Sequence, residues 1–314
     1  MKRTALVFPG QGSQYVGMAK TLCEQYPECA EIVAQADDIL GYSLSEIMFY
    51  GDEALLRQTR HTQPAIFLHS YLLFRFIDSD EVAMTAGHSL GEYTALCYSG
   101  ALSFEDTLRL VAKRGELMQQ ASEQFPGTMA AIIGLAEDKL MPVLAGASEF
   151  GIIQAANFNS PGQIVLSGEI PAIHAALSLA KKYGAKLARE LSVSGAFHSP
   201  LMKPAKDALA QALEQVEIRN ARIPVCMNVD ACLTTDATEI RKKLIRQLTN
   251  SVLWQQSVEA MIAAGVTEFI ELGPQRVLQG LIKRINPNVT VFGIDTAQDV
   301  AEKLRESVVA ERSA

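Results

Sequence analysis

Short unbroken apolar runs, which read as buried strands, alternate along this chain with longer stretches at helical spacing. The first strand is predicted over 4–8 and ends in the turn-rich Pro9-Gly10-Gln11-Gly12-Ser13-Gln14. Helical spacing follows over 16–26, 28–40 and 62–77. A strand over 82–86 runs directly into Gly87-His88-Ser89-Leu90-Gly91, and helical periodicity resumes through Leu96. Ser103, with Asp106 three residues on, is the predicted N-cap of a helix reaching about Glu123.

Over 127–191 the pattern changes. Strands are predicted at 129–134, 152–157, 163–167 and 186–191, with helices at 137–145 and 170–183. That β-α-β-β-α-β order is the ferredoxin-like pattern. Alternation of β and α then returns: helix 201–216, strand 223–228, helices 237–248 and 254–264, strand 269–272, helix 275–285 and strand 289–294. The fold class expected is α/β. A large domain on a mainly parallel sheet, from 1–125 and 192–314, is interrupted by a small inserted ferredoxin-like α+β domain at 126–191.

Composition narrows this picture. With 314 residues, 48% hydrophobic and 20% charged, the chain suits a globular protein with a full core. Its longest apolar runs fall short of a membrane span. The start Met1-Lys2-Arg3 followed by Thr4–Phe8 superficially resembles a signal peptide, but the apolar part ends too soon at Pro9-Gly10 and reads better as a strand. Five cysteines without a Cys-x-x-Cys spacing argue against a disulfide framework or a zinc site, and a cytoplasmic location is expected. A net charge of −7 gives no reason to expect nucleic-acid binding. Against that balance, Lys181, Lys182, Lys186, Arg189, Lys203 and Lys206 cluster around a single Glu190. Such a cluster is a solvated face by default, and a dock for an acidic partner in the sharper reading.

The chemistry centres on Ser89. Gly-x-Ser-x-Gly arises by chance in a chain this long with a probability of about 0.1, so the pentapeptide alone is a weak signal. Its setting between a strand and a helix is what a nucleophile elbow requires, the alternative being a helix-capping serine. A serine needs a base, and five histidines are available. His88 adjoins the serine, where neighbouring side chains diverge; His69 and His174 fall in helical patterns. His61, just before a helix, stays open. His198, in an irregular segment at the domain junction, is favoured, because a cleft is expected there. Gln11 lies in the loop after the first strand, where backbone N–H groups can face an anion or simply make a turn. Arg114 is charged within a largely apolar helical stretch; it either sits on a solvated face or binds a substrate carboxylate.

Taken together, these motifs resemble the malonyl-CoA:acyl-carrier-protein transacylases of bacterial fatty-acid synthesis. The likeness runs from Phe8-Pro9-Gly10-Gln11-Gly12-Ser13-Gln14 through Gly87-His88-Ser89-Leu90-Gly91-Glu92-Tyr93, Arg114, Asn157-Phe158-Asn159-Ser160-Pro161-Gly162-Gln163 and Gly195-Ala196-Phe197-His198-Ser199 to Glu271-Leu272-Gly273-Pro274. It implies a hydrolase-like α/β core with the ferredoxin-like insertion. It implies Ser89 as nucleophile, His198 as base, the backbone N–H groups of Gln11 and Leu90 as oxyanion hole, and Arg114 on the malonyl carboxylate. It further implies that a main-chain carbonyl near Gln247 orients the histidine, that Phe197 follows a malonyl-selective pattern, and that Asn159 belongs to the substrate-binding set. The implied substrate is malonyl-CoA and the implied partner an acyl carrier protein, whose phosphopantetheine thiol is the acceptor. No metal, redox cofactor, nucleic acid or membrane is called for, and a monomer is expected. A serine hydrolase would carry the same elbow; Arg114 and Phe197-His198 favour the transferase. A catalytically silent carrier-binding module would need to lack Ser89, His198 or Arg114, and all three are present.

Overall fold

Strand β1 (Thr4–Phe8) is buried along its whole length, as an uninterrupted apolar run in the middle of a parallel sheet should be. The structure, a computed structural model, describes residues 3–77 and 82–313; Met1 and Lys2 of the signal-like start lie outside them. The remaining strands are β2 (Val82–Gly87), β3 (Thr128–Ile133), β4 (Ile153–Ser160), β5 (Gln163–Gly168), β6 (Leu187–Glu190), β7 (Val225–Cys226), β8 (Leu233–Thr234), β9 (Glu268–Leu272) and β10 (Thr290–Ile294). One sheet has the order β10-β9-β1-β2-β7-β8, with every pair parallel except the short β7–β8. The fold is α/β on a mainly parallel sheet.

The second sheet has the order β4-β5-β3-β6 with all neighbours antiparallel, the ferredoxin-like arrangement of a β-α-β-β-α-β run. Helices Glu137–Ala147 and Ile170–Lys182 cover it around an apolar cluster of its own, including Ile132, Leu166 and Ile173. Its edge strand β4 is stitched to the larger unit: Val252 N–H donates to Ala156 O at 2.8 Å, and Phe158 N–H to Val252 O at 2.9 Å. That stitching holds the small sheet beside the C-terminal ends of β1 and β2, where an open α/β sheet binds its ligands.

Several elements depart from the expected pattern. The helix expected over 16–26 is confined to Lys20–Gln25, because Gly17 (φ 95°) and Ala19 (φ 63°) turn the chain just before it. The strand expected over 223–228 pairs only at Val225–Cys226; beyond it, Asn228 N–H bonds to the Glu92 carboxylate instead of a strand. Helices Leu44–Tyr50 and Glu53–Leu56 are too short to show a periodicity. Helix Ala297–Ser313 was hidden by its many charged residues, although Thr296 and Asp299 cap its start as a capping box does. The expected N-cap at Ser103 does form, with Asp106 N–H donating to Ser103 Oγ at 3.0 Å.

Candidate active site

The turn after β2 closes only because two glycines stand there. A Cβ on Gly87 would lie 1.9 Å from the Gly91 carbonyl carbon, and one on Gly91 would lie 2.1 Å from Phe8 O. Between them Ser89 is held at φ 52°, in the left-handed region, which costs a side-chain-bearing residue about 1–2 kcal/mol. Side chains from distant segments hold that backbone. Ser89 N–H donates to Asn228 Oδ1 at 2.7 Å, Asn228 Nδ2 donates to Gly87 O at 2.7 Å, and Gln247 Nε2 donates to Ser89 O at 2.9 Å. His198 is also left-handed, at φ 56°, with its carbonyl accepting from Gln154 Nε2.

Ser89 Oγ and His198 Nε2 are 2.7 Å apart, and His198 Nδ1 is 2.9 Å from Gln247 O. A carbonyl only accepts, so the proton sits on Nδ1 and leaves a lone pair on Nε2 for the serine. Arg114 Nη2 donates to the same Oγ at 3.1 Å, which turns the serine O–H towards His198. Burial pushes the His198 pKa down to about 3, with the Arg114 charge adding to the shift and the bond to Gln247 O opposing it. The imidazole is therefore neutral and able to act as a base.

That depressed value has a consequence for stability. Between pH 6.5 and about 3 the unfolded chain binds a proton at His198 that the folded chain refuses, so this group's contribution to stability is lost as pH falls. Glu92 has the opposite sign: burial raises it from 4.5 to about 7, so its contribution is lost as pH rises through that range. In His198→Gln the first contribution disappears. Urea unfolding should then show stability depending less steeply on acidification than in the parent, by up to about 1 kcal/mol per pH unit below pH 6.5. Parallel stability curves for the two proteins would count against a neutral buried His198.

Arg114, expected either on a solvated face or in the cleft, is 1% exposed. Its Nη1 donates to Gln63 Oε1 at 2.8 Å and its Nη2 to Gln247 Oε1 at 3.0 Å, while Cζ lies 5.5 Å from the centre of the Tyr93 ring. Burial lowers its pKa, but a guanidinium starts so high that it keeps its charge. A buried cation held by two neutral amides, with no carboxylate bonded to it among the described residues, can receive an anion.

A cavity of about 240 Å³ opens over these groups. Gln11, Leu90, Asn159 and Phe197 all line it, as do Ser89, Arg114 and His198, so of the catalytic and substrate-binding residues that the family resemblance implied only Gln247 does not face this space. Gln247 is wholly buried behind it. Asn159 Oδ1 takes His88 Nε2 at 2.9 Å, which ties β4 of the small sheet to the elbow and turns His88 away from the serine. Val277, Leu278 and Leu281 close one wall. Their helix, Val277–Ile285, starts on the Glu271 carboxylate, which accepts from the N–H groups of Val277, Leu278 and Gln279 at 3.1, 2.9 and 3.1 Å.

The other histidines fall elsewhere. His61 packs its ring against Tyr42 at 5.5 Å, and His174 lies on the surface 3.2 Å from Glu190. His69, in the helix Thr59–Phe74, is fully buried and bonded to Asp295. Lys181 and Lys182 on the small sheet's helix, Arg189 on its edge strand and Lys186 in the turn between them are exposed. Lys203 is exposed but paired with Asp207 at 2.7 Å, and Lys206 is half-buried. The sequence reading missed Asn228, Gln63, Gln154 and Glu92. Only Glu92 carried a signal, a carboxylate at the start of the otherwise apolar helix Gly91–Tyr98. Among the described residues no group of three or more His, Cys, Asp or Glu is placed to hold a metal ion, and no helix is long and apolar enough to cross a membrane.

Residues 5–301 match the acyl transferase domain family. A malonyl CoA-acyl carrier protein transacylase of Bacillus subtilis is 44% identical over 303 residues, covering 96% of each chain. The crystal structure of an acyl carrier protein S-malonyltransferase from Vibrio cholerae superposes with a TM-score of 0.91 at 42% identity, over 96% of this chain and 99% of that one. A malonyl-transacylase in complex with its holo type II polyketide synthase acyl carrier protein gives a TM-score of 0.93 at 39% identity, over 97% of this chain and all 100% of the other.

Proposed function

This chain belongs to the acyl transferase domain family, and from that premise we infer that it moves the malonyl group of malonyl-CoA to the phosphopantetheine thiol of an acyl carrier protein, supplying extender units for fatty-acid synthesis. The observation that carries the choice of acyl group is Arg114, a buried guanidinium 3.1 Å from the Ser89 hydroxyl oxygen. A malonyl thioester placed for attack by Ser89 brings its free carboxylate to that charge.

In this reading the reaction runs in two similar halves. His198 Nε2 takes the Ser89 proton as Oγ attacks the thioester carbonyl. The oxyanion rests on the backbone N–H groups of Gln11 and Leu90, the second at the positive end of the following helix. CoA leaves as its thiol with the proton from His198, and malonyl-Ser89 remains. The carrier protein's thiol then gives its proton to His198 and attacks the ester, and Ser89 leaves as a hydroxyl with that proton from His198. Phe197 and Asn159 shape the pocket around the acyl chain, and Gln247 holds His198 through its carbonyl. No cofactor is needed beyond the phosphopantetheine that the acceptor carries. The chain acts as a cytoplasmic monomer in this reading, with residues 126–191 as an insert in the catalytic domain.

The basic face of the insert is the docking site we assign to the carrier protein, an acidic partner. Lys181 and Lys182 end helix Ile170–Lys182, and with Lys186 and Arg189 they stand exposed; Lys203 and Lys206 follow the insert in the chain and complete the assigned set. Measuring the two half-reactions separately tests function and dock together. Malonyl-CoA alone should leave a long-lived malonyl-enzyme, discharged by holo carrier protein and only slowly by water. Rapid hydrolysis would make the protein a hydrolase. Lys181→Glu with Lys182→Glu should raise the KM for carrier protein about tenfold at low salt and leave acylation by malonyl-CoA unchanged. An equal effect on both halves would move the dock elsewhere.

A further inference from the structure

Glu92 has no part in the mechanism above, yet it is fully buried against it. Its Oε1 accepts from Asn228 N–H at 2.5 Å and its Oε2 from Gln247 Nε2 at 2.6 Å. The Gln247 amide is thereby saturated. Its two N–H bonds go to Glu92 and to Ser89 O, and its Oε1 takes Arg114 Nη2 at 3.0 Å.

An amide has two unlike ends, and turning it over exchanges a donor for an acceptor at each contact. Towards Arg114 only an acceptor is tolerable, because a guanidinium has nothing but donors. Glu92 enforces this together with Ser89 O, which takes the amide's other N–H: as a carboxylate, its form above a pKa raised by burial to about 7, it accepts only and so demands the NH₂ end. The Asn228 N–H is backbone and cannot turn away, so it fixes the carboxylate in place. We propose that Glu92 is a positioning residue for malonyl selectivity: through the Gln247 amide it keeps an acceptor beneath Arg114 and so aims the guanidinium at the acyl pocket.

The chain of contacts runs from the first turn of helix Gly91–Tyr98, through Gln247, to the helix that carries Arg114. A purely structural carboxylate would not distinguish one acyl group from another. Glu92 as positioned here acts chiefly on Arg114, through the acceptor end of the Gln247 amide, while Ser89 O keeps its own N–H from that amide. His198 is served by the main-chain carbonyl of Gln247, which an amide flip leaves untouched.

Glu92→Gln separates the two roles. The new carboxamide must keep its oxygen on the fixed Asn228 N–H, so its NH₂ faces the Gln247 NH₂, donor against donor. The clash displaces the Gln247 side chain; because Ser89 O still holds one of its N–H groups, the amide tilts rather than turns over, and its acceptor moves from beneath Arg114. The acylation rate constants with malonyl-CoA and acetyl-CoA, followed as covalent enzyme adducts, give the readout. The ratio of malonyl to acetyl kcat/KM should fall about 10- to 100-fold, mainly through the KM for malonyl-CoA, with acetyl transfer within about threefold of the parent. An unchanged ratio, or an equal loss for both acyl groups, overturns the proposal.

Gln247→Met keeps the carbonyl to His198 and removes the amide, so it should lower the ratio by itself, and Glu92→Gln added to it should lower it no further. If Glu92→Gln does not fold, an unchanged ratio in Gln247→Met overturns the proposal alone, because there is then no amide end that matters. The inference rests on malonyl transfer as the activity. A parent protein that forms no malonyl adduct defeats that reading, whereas a parent that forms it while the variants keep their selectivity defeats only this one.

Discussion

Ser89→Ala should give no increase in mass by a malonyl group when the protein is mixed with malonyl-CoA, and transfer to carrier protein should fall by about 10⁴-fold or more. The size follows from the two-step route. Without Oγ there is no ester, and direct attack by the carrier thiol on malonyl-CoA would need both large substrates at one small cavity together. The fold should tolerate the change. Both bonds that hold the left-handed backbone at this position, Ser89 N–H to Asn228 and Ser89 O from Gln247, are made by the main chain and survive in alanine. What is lost is the hydroxyl between His198 and Arg114. Intact-protein mass spectrometry beside a thermal melt decides the matter: an adduct at full yield on a folded Ser89→Ala protein would place the nucleophile elsewhere.

The second large effect is a change of preference. In Arg114→Ala, malonyl kcat/KM should drop by about 10³-fold, equivalent to roughly 4 kcal/mol, while acetyl transfer is kept or improved. Malonyl would then bury its carboxylate against no cation, the costliest arrangement the pocket can offer it. Acetyl has the reverse relation to the parent enzyme, where it leaves the guanidinium without an anion. Some stability goes too, about 1–3 kcal/mol, because Gln63 Oε1 and Gln247 Oε1 both lose their donor. Acetyl kinetics on the same preparation separate that loss from the loss of recognition. Malonyl kinetics equal to the parent's would end the assignment of Arg114.

The two predictions draw on different parts of the sequence. Ser89 was legible because a nucleophile elbow is a local object: strand, turn and helix lie within a few residues, and the glycines that permit the turn are its neighbours. Arg114 was visible only as an anomaly, a charge in an apolar helical stretch. Its burial and its distance to Ser89 depend on how helix Phe104–Gln124 packs against the elbow, which no pattern along that helix contains. Gln63, Asn228 and Gln154 left no trace at all, being ordinary amides whose partners lie 51, 139 and 44 residues away.

By itself, then, the chain's pattern of apolar and polar residues determined the alternation of strands and helices, the ferredoxin-like order over 127–191, and a serine raised on a sharp turn. These follow from local periodicity and from glycine's freedom, so a linear reading reaches them. The tertiary structure alone decided which histidine meets Ser89 and that Arg114 is a buried cation rather than a solvated one. It also decided that one glutamine bonds to Ser89, His198 and Arg114 together. Those are pairings between segments far apart in the chain, and folding brings them within hydrogen-bond reach by burying the faces that the pattern only marks as apolar.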